Sequence, residues 1–195
     1  MLSTRAALTV AACAIAAIAL PSAAGDQLKY ALEDDQVFVG YQVAVGKKQV
    51  SGVSHALAGS VAASPDGTQV RLRVPVASFS TGFTPADVAV RSALEADKFP
   101  AVEFEGRAPA TSSDDAMHPF QGLVRLHGVE RPLSVPVKVV RDGKLAFVHL
   151  SFTLQLSAFG VSRPSIAGAQ LGDQVEVQVT TRLHSVPAGT QLAAF

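Results

Sequence analysis

Apolar and polar residues alternate along most of the chain. In the longest alternating stretch, from Val148 to Leu156, every second residue is Val, Leu or Phe, and the residues between them are polar. Successive side chains of a β-strand point to opposite faces of its sheet, so this pattern predicts strands with one buried and one solvated face. Further strands are predicted at residues 36–45, 52–62, 70–76, 102–105, 120–127, 133–139 and 175–183.

Turn and helix signals separate these stretches. Asp66-Gly67 and Asp142-Gly143 each predict a hairpin turn, because glycine readily adopts the positive φ that a tight turn requires. Residues 106–119 are polar and predict a loop. Thr84-Pro85, with Thr84 as N-cap, predicts the start of a short helix that Phe99-Pro100 ends. About eight antiparallel strands with one short helix indicate a single all-β domain, either a closed barrel or a sandwich.

Composition and charge exclude several classes of protein. With 48% apolar and 16% charged residues, the chain is too apolar to be intrinsically disordered. Its 16 basic and 16 acidic residues balance, which leaves no broad basic surface for nucleic acid or for an anionic membrane. We therefore expect a folded domain with no nucleic-acid partner.

The start of the chain has the composition of an export signal. A basic residue, Arg5, precedes the uncharged apolar run 6–20, and small residues suit cleavage before Gly25. We predict a signal peptide at residues 1–24 and a mature domain at residues 25–195, located in the periplasm or secreted. The apolar run is shorter than the about 20 residues needed to cross a bilayer, so we expect no stable membrane insertion.

The single cysteine, Cys13, lies inside the predicted signal peptide. Val10-Ala11-Ala12-Cys13 resembles a lipoprotein processing box, but the apolar run continues past the cysteine to Leu20, whereas such a box normally ends the run. Cleavage before Gly25 would leave a domain without cysteine. That domain would have no disulfide, no thiol chemistry and no Cys-ligated metal.

The sequence contains no recognisable catalytic or metal-binding motif. Ser54 and His55 are neighbours, so on a strand their side chains would point to opposite faces and could not form a nucleophile–base pair. We expect no enzyme activity, no cofactor and no metal, and we retain a hydrolase whose residues converge only in space as a third hypothesis. The histidines show no pair at ligand spacing; they are His55, His118, His127, His149 and His184.

Glu103 and Glu105 share one face of a predicted strand, roughly 6.5–7 Å apart. Two carboxylates at such a distance could flank a glycosidic bond. They alternate with Val102 and Phe104, however, so we expect both to lie on the solvated face of the sheet.

Several motifs are similar, in their order and spacing, to those of one known family. They are Ser78-Phe79-Ser80-Thr81-Gly82, then Asp87, Val90 and Arg91, then residues 94–100, Phe120-Gln121-Gly122, residues 126–132, Phe159-Gly160-Val161 and residues 171–177. Over residues 30–183 the chain resembles the YceI family of exported lipid-binding proteins. The resemblance implies an all-β fold, an antiparallel eight-stranded lipocalin-like barrel with one short helix. It also implies a long apolar pocket for a polyisoprenoid or similar amphiphile, and no catalysis.

The resemblance assigns some local roles as well. His127-Gly128 resembles a structural turn. Asp87 matches the acid of the family's Arg-Asp pair, but Ala86 stands in place of the arginine, and Arg91 could pair with Asp87 from one helical turn further on. The family's His-containing first hairpin is replaced by residues 43–48, which contain no histidine.

The predicted ligand-binding residues are inward-facing side chains of the barrel: Tyr41, Val74, Val76, Phe104, Phe152, Leu154 and Val177. They point to an exported carrier or sequestering protein for an isoprenoid or fatty amphiphile, bound by burial of its tail. Composition alone does not decide whether these side chains line a cavity or fill the interior. If they fill it, the alternative is a ligand-free envelope interaction module that acts through loops such as residues 106–119 on an unknown protein partner.

Overall fold

The computed structural model describes residues 28–32, 36–109, 117–163, 165–166 and 168–187. The predicted signal peptide, residues 1–24, lies outside the described residues. The strands are β1 (Leu28–Leu32), β2 (Phe38–Val45), β3 (Lys48–Ser54), β4 (Ala58–Ser64), β5 (Gly67–Pro75), β6 (Ala101–Ala108), β7 (Met117–Leu126), β8 (Val129–Asp142), β9 (Leu145–Gln155), β10 (Ser165–Ile166) and β11 (Ala169–Val186). Helix α1 spans Thr84–Ala93, and 3-10 turns span Val76–Ser78 and Leu156–Phe159. Among the described residues, no helix is long and apolar enough to cross a membrane.

Eight of these strands close into a barrel. They are hydrogen-bonded in the order β1-β4-β5-β6-β7-β8-β9-β11, and β11 pairs with β1 to complete the ring. The hairpin β2–β3 pairs with the same edge of β11, over residues 171–180, whereas β1 pairs with residues 183–186. The short strand β10 pairs with the start of β11. The predicted antiparallel eight-stranded barrel with one short helix is therefore confirmed.

The long strands give the barrel two different ends. Helix α1, the His127-Gly128 turn and the 3-10 turn Leu156–Phe159 lie at one end, which we call the helix end. The hairpin turns at residues 64–67 and 142–145 lie at the other, which we call the turn end. Both hairpin turns predicted from Asp-Gly are confirmed by this pairing.

The single strand predicted at residues 52–62 is wrong, because the chain breaks there into β3 and β4. Ser54 is 1% exposed, its Oγ lies 2.7 Å from Ser78 Oγ, and it accepts a hydrogen bond of 3.1 Å from the Ala56 N–H. A short polar side chain that bonds to nearby backbone competes with the strand ladder. These bonds account for the break at residues 55–57.

The alternation at residues 70–76 also ends earlier than predicted. Strand β5 stops at Pro75, which has no N–H for a ladder, and Val76 enters a 3-10 turn. The Val76 N–H donates to the Pro100 carbonyl at 2.8 Å, and the Val76 side chain is buried. Val76 is therefore not an inward-facing strand residue, contrary to the prediction.

The loop predicted at residues 106–119 is wrong at both ends, because β6 continues to Ala108 and β7 begins at Met117. Gly106 pairs with Gly122 in the ladder between these strands. Residues 110–116 lie outside the described residues.

Helix α1 differs from its predicted bounds by a few residues. Its N-cap is Phe83 and not Thr84, because the Phe83 carbonyl already accepts hydrogen bonds from the N–H groups of Ala86 and Asp87. The helix ends at Ala93, well before Phe99. The segment that follows consists of turns and leads back to β6.

Candidate functional site

The barrel interior contains a cavity of about 290 Å³. Its wall is almost entirely apolar and receives side chains from all eight barrel strands, from β2 and from α1. On β9 the wall residues run from Ala146 near the turn end to Leu154 near the helix end, about 26 Å along the strand. The cavity is therefore long and narrow, and it follows the barrel between its two ends.

Six of the seven predicted ligand-binding residues lie on this wall. Tyr41, Val177 and Phe152 are register neighbours and form one row across β2, β11 and β9. Leu154 lies on β9 in the next row, whereas Val74 and Phe104 lie on β5 and β6. Val76 is not part of the wall, because it lies in the 3-10 turn after β5. Contact of the six with a ligand stays a prediction.

A pair of glycines keeps two phenylalanine rings against the wall. Gly106 and Gly122 are paired across β6 and β7, and the rings of Phe104 and Phe120 lie over them, with centroids 5.6 Å apart. A Cβ at Gly122 would lie 2.9 Å from Phe104 Cζ, and one at Gly106 would lie 2.7 Å from the same atom. Without side chains at the glycines, the rings occupy space beside the strands and leave the barrel axis open.

Val90 and Ala93 of helix α1 contribute to the wall, as does Leu94 directly after the helix. Asp87 in its first turn holds the helix to the preceding loop. Asp87 Oδ1 accepts hydrogen bonds of 2.6 Å from both the N–H and the hydroxyl of Thr81, and Oδ2 accepts one of 3.2 Å from the Ser80 hydroxyl. The sequence suggests that Arg91 could pair with Asp87, but the hydrogen-bond partners of Asp87 are Thr81 and Ser80.

The hydrogen bonds at Asp87 have an electrostatic consequence. The bonds from Thr81 do most to lower the pKa of the Asp87 carboxyl, and the bond from Ser80 and the charge of Arg91 lower it further. The carboxylate is therefore ionised over the neutral and mildly acidic range. Arg91 acts on Asp87 through its charge, in keeping with the predicted proximity of the two side chains.

We expect Asp87→Asn to destabilise the protein at neutral pH, because the amide supplies weaker acceptors than the carboxylate for the Thr81 and Ser80 donors. A carboxyl whose folded pKa is lowered stabilises the fold above its unfolded pKa of about 3.9 and loses this effect as the pH falls through the folded value. The difference in Tm between wild type and variant should thus be largest near neutral pH and shrink in acid.

Thermal unfolding from neutral to acidic pH measures this difference. Asp66→Asn, in the exposed turn at residues 64–67, is the matched control and should show no comparable gap. A gap for Asp87→Asn that stays constant down to strongly acidic pH would contradict the role assigned to its charge.

The turn at His127-Gly128 is structural, as the sequence indicates. His127 and Gly128 have positive φ values of 52° and 74°. His127 Nδ1 lies 3.2 Å from the Phe159 carbonyl oxygen, and its Nε2 lies 3.2 Å from Glu95 Oε1. The histidine thereby joins three segments of the helix end.

The two glutamates considered as a catalytic pair are both paired with arginines. Glu105 is exposed, whereas Glu103 is half-buried and also borders the cavity. Arg71 contacts Glu105 at 2.9 Å, and Arg125 contacts Glu103 at 3.1 Å. Both pairs join neighbouring strands of the sheet. Glu105 thus lies on the solvated face that the alternation predicts, and both carboxylates are engaged in ion pairs.

The described residues supply little chemistry to the cavity itself. They include one wall histidine, His118, and no wall serine. Within the same part of the chain, no three His, Cys, Asp or Glu side chains are grouped in a way that could hold a metal ion. The wall is suited to binding apolar material.

Sequence reasoning missed the wall residues of α1 and the role of the two glycines. The glycines do have a signal, since Phe104-Glu105-Gly106 and Phe120-Gln121-Gly122 repeat the pattern Phe-x-Gly on neighbouring strands. Phe and Gly two residues apart on a strand share a face, so the ring can fold over the glycine. The inner face of α1 is less visible because the helix is short.

Comparison with known families gives one match. A model of the YceI-like domain matches residues 30–183. Among curated proteins, no significant match is found.

Solved structures with the same fold include BcnA of Burkholderia cenocepacia, with a TM-score of 0.68 and 16% identity over 77% of this chain and 98% of that one. A polyisoprenoid binding domain from Saccharophagus degradans, implicated in plant cell wall breakdown, has a TM-score of 0.65 and 14% identity over 82% and 99%. The YceI protein of Campylobacter jejuni has a TM-score of 0.59 and 13% identity over 73% and 88%. These similarities show a shared fold.

Proposed function

The chain belongs to the family of YceI-like domains, and on that premise we propose that it is an exported carrier or sequestering protein that binds a polyisoprenoid or similar long-chain amphiphile. The observation that carries this proposal is the long cavity of about 290 Å³ with its apolar wall. The description of the similar domain from Saccharophagus degradans as polyisoprenoid binding supports it. Residues 1–24 would direct the export.

The physical argument rests on the shape and the chemistry of the wall. Burial of apolar surface contributes about 25 cal/mol per Å², or about 0.8 kcal/mol for each methylene. A flexible tail can lie along a narrow cavity and contact the wall over most of its length, with few hydrogen bonds. A small polar ligand would find few groups on this wall to bind.

Affinity should therefore rise with the length of the prenyl chain. Labelled prenyl lipids of increasing length, incubated with the mature domain and separated by gel filtration, measure this. We expect one lipid per protein and an affinity that rises by up to about a thousandfold for each added isoprene unit until the cavity is filled, since each unit buries about five carbon atoms at about 0.8 kcal/mol each. Affinity that does not depend on chain length, or no binding at all, would contradict the proposal.

The alternative function, a ligand-free interaction module, is less well supported. It expects side chains to fill the interior, whereas the barrel contains a long cavity. This alternative acts through the loop predicted at residues 106–119. That loop is shorter than predicted, because β6 and β7 extend into it.

A further inference from the structure

The pattern Phe-x-Gly occurs a third time, on the outer face of the barrel. In Phe38-Val39-Gly40 of β2, Val39 lies on the cavity wall, so Phe38 and Gly40 face outward. The three atoms nearest to a Cβ at Gly40 all belong to the Phe38 ring, and the closest is 2.7 Å away. The ring therefore lies along the sheet over Gly40, and Phe38 remains 38% exposed. One face of the ring is presented to solvent.

A small groove of about 70 Å³ adjoins this ring. Gln178 of β11, which is the register partner of Gly40, lines it. Glu176 is the register partner of Gln42, and Gln42 is that of Ser51 on β3. These four polar residues are all exposed. The groove thus combines an aromatic face with amides, a hydroxyl and a carboxylate, which donate and accept hydrogen bonds.

The two halves of the barrel's outer face differ in charge. On the strands β5 to β8, exposed positions carry ion pairs such as the one between Arg71 and Glu105. The groove's neighbours on β9 are Ser151 and Thr153, which are exposed and uncharged. Glu176 is the only Asp, Glu, Lys or Arg among the residues that line the groove. This half of the surface therefore suits a neutral molecule that is rich in hydroxyl groups.

We propose that the groove beside Phe38 binds one sugar unit of a neutral glycan. The C–H groups on one face of a pyranose ring would pack on the Phe38 ring, and its hydroxyls would bond to Gln42 and Gln178. An anionic sugar is disfavoured, because its carboxylate would lie beside that of Glu176. This activity goes beyond lipid binding, since Phe38 lies on the outside of the barrel and does not line the cavity.

A protein partner fits this surface less well than a glycan does. The centre of a protein–protein interface is mostly apolar, whereas Phe38 and Val53 are the only outward apolar side chains that line the groove. The other outward side chains of the groove are polar, and a sugar offers hydroxyls in every direction to pair with them.

NMR titration of the isotope-labelled protein with oligosaccharides tests the proposal. The probes are cellotetraose and chitotetraose, which are neutral, and tetragalacturonate, which is anionic. We expect both neutral probes to shift the Gly40 and Gln178 signals with a Kd of about 1 mM, and the anionic probe to bind about tenfold more weakly. Phe38→Ala, which removes the ring, should lower the affinity for the neutral probes about tenfold.

Gly40→Ala is a second variant that keeps the ring but pushes it off the sheet, because the new Cβ would collide with Phe38 Cε1 and Cζ. We expect it to lose about as much affinity as Phe38→Ala. Leu123→Ala is the matched control, since it removes an exposed apolar side chain from the charged half of the surface, where Leu123 is opposite Glu105. It should bind the neutral probes as the wild type does. Thermal unfolding verifies that each variant is folded.

Three results would overturn the proposal. They are a wild type that binds neither neutral probe, a wild-type affinity in folded Phe38→Ala or Gly40→Ala, and an anionic probe bound as tightly as the neutral ones. If no saccharide binds and the protein self-associates in gel filtration through Phe38, the face belongs to a protein partner instead. Phe38→Ala should bind prenyl lipids as the wild type does, so glycan binding and lipid binding are tested separately.

Discussion

Replacement of Val177 by tryptophan is expected to lower the affinity for a long-chain prenyl lipid about a hundredfold while the barrel remains folded. Val177 lies on the cavity wall between its register partners Tyr41 and Phe152. An indole at this position would occupy space that about three or four methylene groups of a tail would fill. Their loss costs about 3 kcal/mol, which corresponds to about a hundredfold in Kd.

The matched control is Gln178→Trp, because Gln178 is the next residue of β11 and is exposed to solvent. The chain contains no natural tryptophan, so each variant carries a single indole whose fluorescence reports its surroundings. We expect blue-shifted emission and weak lipid binding for Val177→Trp, and red-shifted emission and wild-type binding for Gln178→Trp. A buried indole in Val177→Trp combined with unchanged lipid affinity would show that the lipid does not bind in the cavity.

Replacement of Gly122 by alanine is expected to destabilise the protein by about 3 kcal/mol. A Cβ at this position would overlap the Glu105 carbonyl oxygen, lie 2.6 Å from Gly106 Cα and lie 2.9 Å from Phe104 Cζ. Two of these three neighbours are backbone atoms of β6, so the strand itself would have to move. The Phe104 ring would also be pushed toward the barrel axis, and lipid binding should weaken together with stability.

Urea unfolding measures this loss, and Gly143→Ala provides the control. Gly143 lies in the turn at the turn end with a φ of 58°, and a Cβ there would meet no atom within 4 Å. Alanine at Gly143 should therefore cost only about 1 kcal/mol, from the left-handed backbone conformation. Equal losses at the two glycines, or no loss at Gly122, would contradict the packing described for Phe104.

The barrel could be predicted where one face of a strand is buried and the other is solvated. β9 shows this alternation from Val148 onward and β11 from Val175 to Leu183, and the hairpin turn between β8 and β9 has the Asp-Gly sequence that it requires. The break between β3 and β4 could not be predicted, because the Ser54 hydroxyl bonds to Ser78, a residue distant along the chain. A contact of this kind exists only after the chain has folded.

The candidate site could be predicted in part, for a related reason. Alternation identifies which side chains point inward, so Tyr41, Phe152 and Val177 were found. It also suggested Val76, since the pattern of apolar residues continues for one position beyond the strand that Pro75 ends. Whether inward side chains fill a barrel or line a cavity depends on how the rings lie, and Gly106 and Gly122 decide that for Phe104 and Phe120.

The most direct test of the central claim is native mass spectrometry of the protein isolated from the cells that produce it, with Val177→Trp prepared in the same way. We predict that the wild type carries one additional mass, corresponding to a single long-chain amphiphile, and that most of this species is absent from Val177→Trp. If the wild type shows only the mass of the bare chain, even after incubation with long-chain prenyl lipids, the claim that the barrel binds a lipid is wrong.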